Sequence, residues 1–497
     1  MSNIRVTYSG LIAFVIGFAG VITGILFVII VTRQLSPEEF GLWTLIGSLV
    51  SYVVIVEPIV SYWTTRQIAR GETVGKTSVF TSGLFSIGGF FAYLIIAIFV
   101  SDLLKVNSFP VILAAILVPI MFLNNTLSAI GISHKPQGVS YSILSFEVSK
   151  LPFGFGFVYL AELGLVGAIV ATIIASLIKT IILLITVREQ LVNSIKKQFV
   201  KFWLKLSWIP LYANGSGLVF TLDVLVFSLL TNSLIGLAFW GVSNAAANLV
   251  AHSGNISQAL GPKLLATQRE EFAQQNLKRL MFFAIPLFVG SIVFAKPMLH
   301  VLNPLYIEGI MILYLLSVRT FFNVLMNVFF NIIVSLETVD IDGTTSFKKY
   351  LKSKLFFIPT LNYLHTGSYV GILAIFLIFS ASWNLRDIDL VTIWAAILLI
   401  TTIPFMLYSL IIVQKHHKIS LPYKSILKLS SSALISSIII YIVQDLVLVY
   451  EDSVFDFLPQ LIPLLILGGG IYFGIAYVLD ASTRTFVKTI IEQIKPH

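Results

Sequence analysis

The chain has 497 residues, 57% of them hydrophobic and 11% charged, with a mean hydropathy of +0.95. That composition excludes a soluble globular protein of this size and points to a polytopic membrane protein. The absence of cysteine excludes disulfides, thiolate metal sites and cysteine nucleophiles without identifying a compartment.

Runs of about 20 apolar residues read as membrane helices. Fourteen occur in chain order, at 10–31, 41–64, 79–100, 110–131, 140–160, 163–186, 207–230, 235–258, 280–300, 309–335, 356–380, 390–413, 428–448 and 459–479. The first, Gly10 to Val31, is too long for a signal-peptide core and lacks a small-residue cleavage site, so it is expected to be retained as a span. The fold class is then all-α. Between spans six and seven, residues 189–206 place Leu191, Val192, Ile195, Phe199 and Phe202 among lysines, the pattern of an amphipathic helix in the headgroup layer. This divides the chain into an N-terminal lobe (1–188), the linker (189–206), a C-terminal lobe (207–427) and two accessory spans with a tail (428–497). The lobes repeat weakly. TRQLSPEEFGLWTLIGSLV, from Thr32, and LTNSLIGLAFWGVSNAAANL, from Leu230, both lead from a polar turn to Gly-Leu at the start of an even-numbered span. Internal repeats of this kind are common in secondary transporters.

Charge tests the segmentation independently. With a cytoplasmic N-terminus, 25 of the Lys and Arg residues fall in inside segments, whereas only Arg33, Lys105, Lys296 and Arg386 fall outside. That bias predicts both termini inside a cell membrane. The net charge of +9 is then a topology signal, and nucleic acid is not an expected partner. Seven scattered histidines form no metal-ligand spacing, and no cofactor is expected.

Six ionisable side chains lie inside apolar runs: Glu57, Glu147, Lys150, Lys179, Asp223 and Arg319. A charge there costs about 2.5–3.5 kcal/mol on insertion scales, so each is expected to face a cavity or a partner. Depth along the helices puts Asp223 and Arg319 in an outer layer roughly 10 to 15 Å below the outer surface. Glu57, Glu147, Lys150 and Lys179 fall nearer the inner ends. Glu147 and Lys150, three residues apart, are placed to neutralise each other, and Lys179 to snorkel to the inner headgroups. Asp223 is a candidate site for a coupling Na+ or proton, with a structural ion pair to Arg319 as the alternative. Asn244 and Asn248 recur at helical spacing in span eight, and Asn323, Asn327 and Asn331 continue from Arg319 in span ten; such stripes suit either a polar cavity wall or interhelical hydrogen bonds. Glu57 has no partner of opposite charge on its own helix. It is the inner acid expected to be functional.

At Arg33 to Gly41 (RQLSPEEFG) and Trp63 to Gly71 (WTTRQIARG), the sequence resembles the polysaccharide-transporter, or Wzx-like, family of lipid-linked oligosaccharide flippases. Their superfamily also holds multidrug and toxin extrusion transporters and the lipid II flippase. Ser36, Pro37 and Glu39 read as N-cap, first helical residue and capping-box acceptor of span two. The likeness continues through Gly131 to Leu151, Gly164 to Ala175, Asp223 to Phe227 and Ser257 to Leu264. It implies a two-lobed bundle working by alternating access, with spans one, two, seven and eight lining a central cavity. Many relatives carry Gly where this chain has Pro58, in a segment of acid, any residue, Gly. Glu57 matches the acid; Pro58 and Ile59 do not, which leaves the backbone of span two open at that point. Span one has no mid-depth Arg of the lipid II flippase pattern.

A lipid phosphate or pyrophosphate calls for guanidinium groups. Arg66 and Arg70 stand at the inner mouth of span two and Arg33 at an outer mouth; Arg319 is a further candidate. Topology or anionic lipids account for the mouth arginines equally well. Tyr62 and Trp63 are candidates for stacking on sugar rings, against simple interfacial anchoring. The expected function is a flippase for a polyprenyl (pyro)phosphate-linked oligosaccharide, acting as a monomer among membrane lipids and not as an enzyme. The alternatives are a cation-coupled small-molecule exporter of the same fold and, further off, a membrane enzyme acting on polyprenyl-linked sugars. The enzyme would need acids or bases gathered at one exposed face, and none is seen.

Overall fold

The computed structural model describes residues 6–69, 71–257, 260, 264, 270–337, 347–417, 419, 421–485 and 488. Every regular element among the described residues is helical, as the composition requires. In lipid a backbone must satisfy its polar groups within the segment.

The chain forms two compact units, Met1–Gly241 with Asn362–Asp387, and Val242–Leu361 with Ile388–His497. The first unit contains α1 (Val6–Gln34), α2 (Pro37–Val54), α3 (Pro58–Ala69), α4 (Gly75–Leu104), α5 (Ser108–Leu113), α6 (Leu117–His134), α7 (Pro136–Gly154), α8 (Gly164–Val187), α9 (Lys197–Lys205), α10 (Trp208–Thr231) and the start of α11 (Leu234–Ala251). The second continues with α12 (Glu270–Val293), α13 (Ala295–Leu302), α14 (Ile310–Ser335), α15 (Phe347–Leu351), α16 (Lys354–Ser380), α17 (Asp387–His417), α18 (Tyr423–Val447) and α19 (Val454–Leu479). The last part of α16 packs in the first unit.

All fourteen expected spans fall on helices. Twelve helices among the described residues are long and apolar enough to cross a membrane, or thirteen when one bent pair is taken as a single span. The bent pair is span two, whose halves Pro37–Val54 and Pro58–Ile68 meet at 59°. Pro58 explains the break, because it has no N–H to offer the carbonyl of Val54. The Glu57 amide takes that carbonyl instead at 2.9 Å, so the kink leaves it satisfied. In span one, Ile22–Gln34 registers as a shorter apolar helix.

The anticipated capping box is present. Ser36 Oγ accepts from the Glu39 amide at 3.2 Å, and the Ser36 amide donates to Glu39 Oε2 at 3.1 Å. Span eight starts on the same device: Asn232 closes α10 in the left-handed conformation, φ 52°, and Ser233 Oγ accepts from the Gly236 amide at 2.9 Å. The two repeated segments thus share a local device, a serine cap before span two and before span eight.

Helix α9 is amphipathic as expected, but its anchor is a residue the pattern did not mark. Trp203 is fully buried, and its indole donates to Gln67 Oε1 of α3 at 3.1 Å. Lys197, Lys201 and Lys205 stay exposed. In the second unit Tyr472 of α19 donates to the Phe282 carbonyl of α12 at 2.9 Å. Ser436 of α18 donates to the Gly468 carbonyl of α19 at 2.8 Å, so the last two spans are held to α12 by polar as well as apolar contacts.

Gly41 of α2 lies so close to the start of α11 that a Cβ there would strike the carbonyl of Leu234, whereas a Cβ at Gly47 would meet nothing within 4 Å. Gly41→Ala is therefore expected to lower unfolding stability by about 1–3 kcal/mol through overpacking. Gly47→Ala should be neutral or slightly stabilising, since Ala suits a helix interior better by about 1 kcal/mol. Thermal unfolding of the two purified variants checks this order.

Candidate functional site

Two buried acids define the candidate site, and both belong to the first unit. Glu57 sits in the break between α2 and α3 and is 2% exposed. Its Oε2 accepts from Ser61 Oγ at 2.9 Å, and its Oε1 accepts from Thr126 Oγ1 of α6 at 3.0 Å. No cation pairs with it among the described residues. A carboxyl held only by hydroxyls is costly to keep charged away from water, and it leaves lone pairs free for a proton or a hard cation.

Asp223, on α10, is also 2% exposed. Its Oδ2 accepts from the Tyr369 hydroxyl of α16 at 2.7 Å, and its Oδ1 from the Val224 amide at 2.7 Å. Tyr52 of α2 donates to the carbonyl of Thr221, two residues before it. Tyr52 therefore links the helix that leads into Glu57 to the helix that carries Asp223. Across helices, Glu57 draws a hydroxyl from α6 and Asp223 one from α16.

The expected pair at Glu147 and Lys150 exists, with Lys150 Nζ 2.9 Å from Glu147 Oε2. Lys150 also lies over the rings of Phe27 and Phe146, at 4.9 Å from each centroid. This neutralised, aromatic-walled charge reads as packing of α7. Lys179 is half-buried, 6.0 Å from the Phe146 centroid.

The remaining candidates are dispersed. Arg66 is exposed, with its guanidinium over the Tyr62 ring at 4.5 Å. Arg70 lies outside the described residues. Trp63 is 9% exposed and packs edge-on against Tyr62 and Phe202 at 5.0 and 5.2 Å, inside an apolar cluster with Val60, Leu127 and Trp203. Arg33 is half-buried in the last turn of α1, where the helix dipole favours a cation. Asn244, Asn248 and Arg319 belong to the second unit. Asn244 and Arg319 are half-buried and Asn248 is exposed.

Sequence reasoning missed Thr126, Tyr369 and Tyr52. Ser61 was within reach, four residues after Glu57 on a helix. The others carry no local signal, because only tertiary packing brings them to the acids.

No family model matches the sequence, and no curated protein does. Solved structures do match in fold. The lipid II flippase MurJ in an inward closed conformation is 13% identical, with a TM-score of 0.65 over 97% of this chain and 99% of that one. A multidrug resistance MATE family transporter of the MOP superfamily, facing inward, is 12% identical, with a TM-score of 0.57 over 83% of this chain and 99% of that one. The Vibrio cholerae MATE transporter VcmN in its bent form gives 13%, a TM-score of 0.53, and coverage of 82% and 96%. The chain is a multi-pass membrane protein with the fold of these transporters.

Thr126→Val and Ser61→Ala each remove a donor to a buried carboxylate and are expected to cost about 1.5–3 kcal/mol of stability. The Thr126→Val penalty should shrink in a Glu57→Gln background, because the two side chains then no longer share a charge-assisted bond. A double-mutant cycle in thermal unfolding reads this coupling. Tyr369→Phe should be destabilising by a similar amount, about 1.5–3 kcal/mol, through Asp223.

Proposed function

We propose that the protein is an alternating-access flippase that moves a polyprenyl phosphate- or pyrophosphate-linked oligosaccharide from the inner to the outer leaflet of the cell membrane. The observation that carries this reading is the extent of the fold likeness: the flippase structure covers 97% of the chain and the MATE structure 83%. A small-molecule exporter of the same fold is the rival reading, since function lives in the cavity and not in the fold.

In this proposal the lobes are spans one to six and seven to twelve, with both termini cytoplasmic and the protein a monomer. Glu57 and Asp223 bind the coupling proton or Na+, and Asn244 and Asn248 offer amide oxygens. The hydroxyls around Glu57 suit this role: they stabilise a charged carboxylate when it is empty and leave room for a hard cation or a proton when it is filled. Arg66 and Arg70 receive the phosphate at the inner mouth, and Arg33 and Arg319 follow toward the outer one. Tyr62, beneath the Arg66 guanidinium, is the better-placed ring for a sugar; Trp63 is committed to packing. The polar head crosses between the lobes while the lipid tail stays in the bilayer. No bond is made or broken, so the protein is a transporter and not an enzyme.

Reconstitution with a fluorescent polyprenyl diphosphate glycan tests the reading. Wild type should move the head group across the bilayer in a manner dependent on a pH or Na+ gradient. Glu57→Gln and Asp223→Asn should each slow it by at least about tenfold, the effect of about 1.4 kcal/mol on the limiting barrier. Arg66→Ala should weaken substrate binding more than turnover. Robust drug-for-cation exchange with no movement of the glycan would instead establish the exporter.

A further inference from the structure

The second unit contains a pocket that plays no part in the proposed transport path. It opens where α12 and α18 begin and α19 ends, and has a volume of about 390 Å³. Its floor is apolar: Phe282 and Leu429 belong to the unit's buried core. One wall is cationic. Lys278 and Arg279 stand on α12, both exposed, and Lys278 makes no ion pair or hydrogen bond with another described residue.

The lining is also acidic and rich in acceptors. Asp480 follows α19 directly and is 5% exposed. It accepts from the Thr483 amide at 3.0 Å and the Thr483 hydroxyl at 3.1 Å, from Ser482 Oγ, and from Ser425 Oγ of α18 at 3.3 Å. Burial works against its charge, yet these donors hold the carboxyl below the ordinary aspartate value. The hydroxyl protons of Ser482 and Thr483 point at Asp480, and that of Thr485 goes to the Ala481 carbonyl at 3.1 Å. Each hydroxyl has only one proton, so Ser482 and Thr483 are left as acceptors toward anything else.

A site for a simple anion would not put a charged carboxylate in the same lining as its cations. Walls of opposite sign over an apolar floor suit a dipolar ligand, and the apolar runs of all three helices end here, at the boundary of lipid and water. We infer that this pocket binds the zwitterionic headgroup of an aminophospholipid, its phosphate on Lys278 and Arg279 and its ammonium toward Asp480. The acyl chains leave over Phe282 and Leu429 into the bilayer. A bound headgroup bridges α12 to the last two spans across the same junction that the Tyr472 to Phe282 hydrogen bond ties from within.

Native mass spectrometry of the purified full-length chain tests this with phosphatidylethanolamine, phosphatidylglycerol, phosphatidylcholine, soluble phosphoethanolamine and inorganic phosphate. Phosphatidylethanolamine is expected to bind most tightly, with soluble phosphoethanolamine competing weakly and inorganic phosphate not at all. Lys278→Gln, at an exposed position, should weaken phosphatidylethanolamine and phosphatidylglycerol alike by about tenfold, the scale of one charge-assisted hydrogen bond. Asp480→Asn retains a side-chain oxygen for the Thr483 amide and should abolish the preference for ethanolamine over glycerol. Equal binding of both lipids by wild type, phosphate competing as well as the lipid, or lipid binding indifferent to Lys278→Gln would each overturn the proposal. None of these outcomes depends on whether a glycan is transported.

Discussion

A carboxylate inside a membrane has to be solvated by something, and here the solvent is hydroxyl groups. Glu57 is met by Ser61 and Thr126, Asp223 by Tyr369 and a backbone amide. A cation would neutralise an acid and fix it, as Lys150 fixes Glu147. At Glu57 the hydroxyls stabilise the charge without cancelling it and leave carboxylate lone pairs open. The bond from Thr126 ties α6 to the break before α3, and that from Tyr369 ties α16 to α10.

Much of this fold was legible because the rules behind it are local. Of the fourteen apolar runs, twelve meet helices long and apolar enough to cross a membrane, or thirteen with the bent pair, since length and hydropathy decide a membrane helix before any tertiary contact forms. Ser36 and Glu39 form their capping box because both partners lie within one turn, and Glu147 meets Lys150 for the same reason. Pro58 marks the place where span two breaks, although its sequence context gave no angle. Thr126, Tyr369 and Trp203 stayed hidden, being ordinary residues in apolar stretches whose roles exist only once distant helices pack. The gathering of Lys278, Arg279 and Asp480 around one pocket was equally invisible, because the sequence presents them as inside-loop charges.

The internal repeat shows the same limit. A serine cap precedes both α2 and α11, yet the Gly-Leu pairs that suggested the repeat sit at different distances from their caps. Gly41 comes five residues after Ser36, and Gly236 three after Ser233. The turns are alike while the helices differ in register. A shared way of starting a helix can outlast any shared way of packing one, since the cap depends on its own few residues and packing depends on partners.

The kink in span two also has a mechanical meaning. Bonds from the Glu57 amide to Val54 and from the Ile59 amide to Val56 carry the chain through the break, so it is a bonded turn and not an open gap. Helix α3, 12 residues long, is a rigid arm of about 18 Å. Each change of about 10° in the angle at Glu57 sweeps the end of that arm through about 3 Å. The acid therefore sits at the fulcrum of a lever, where a small change of angle is magnified with distance along α3.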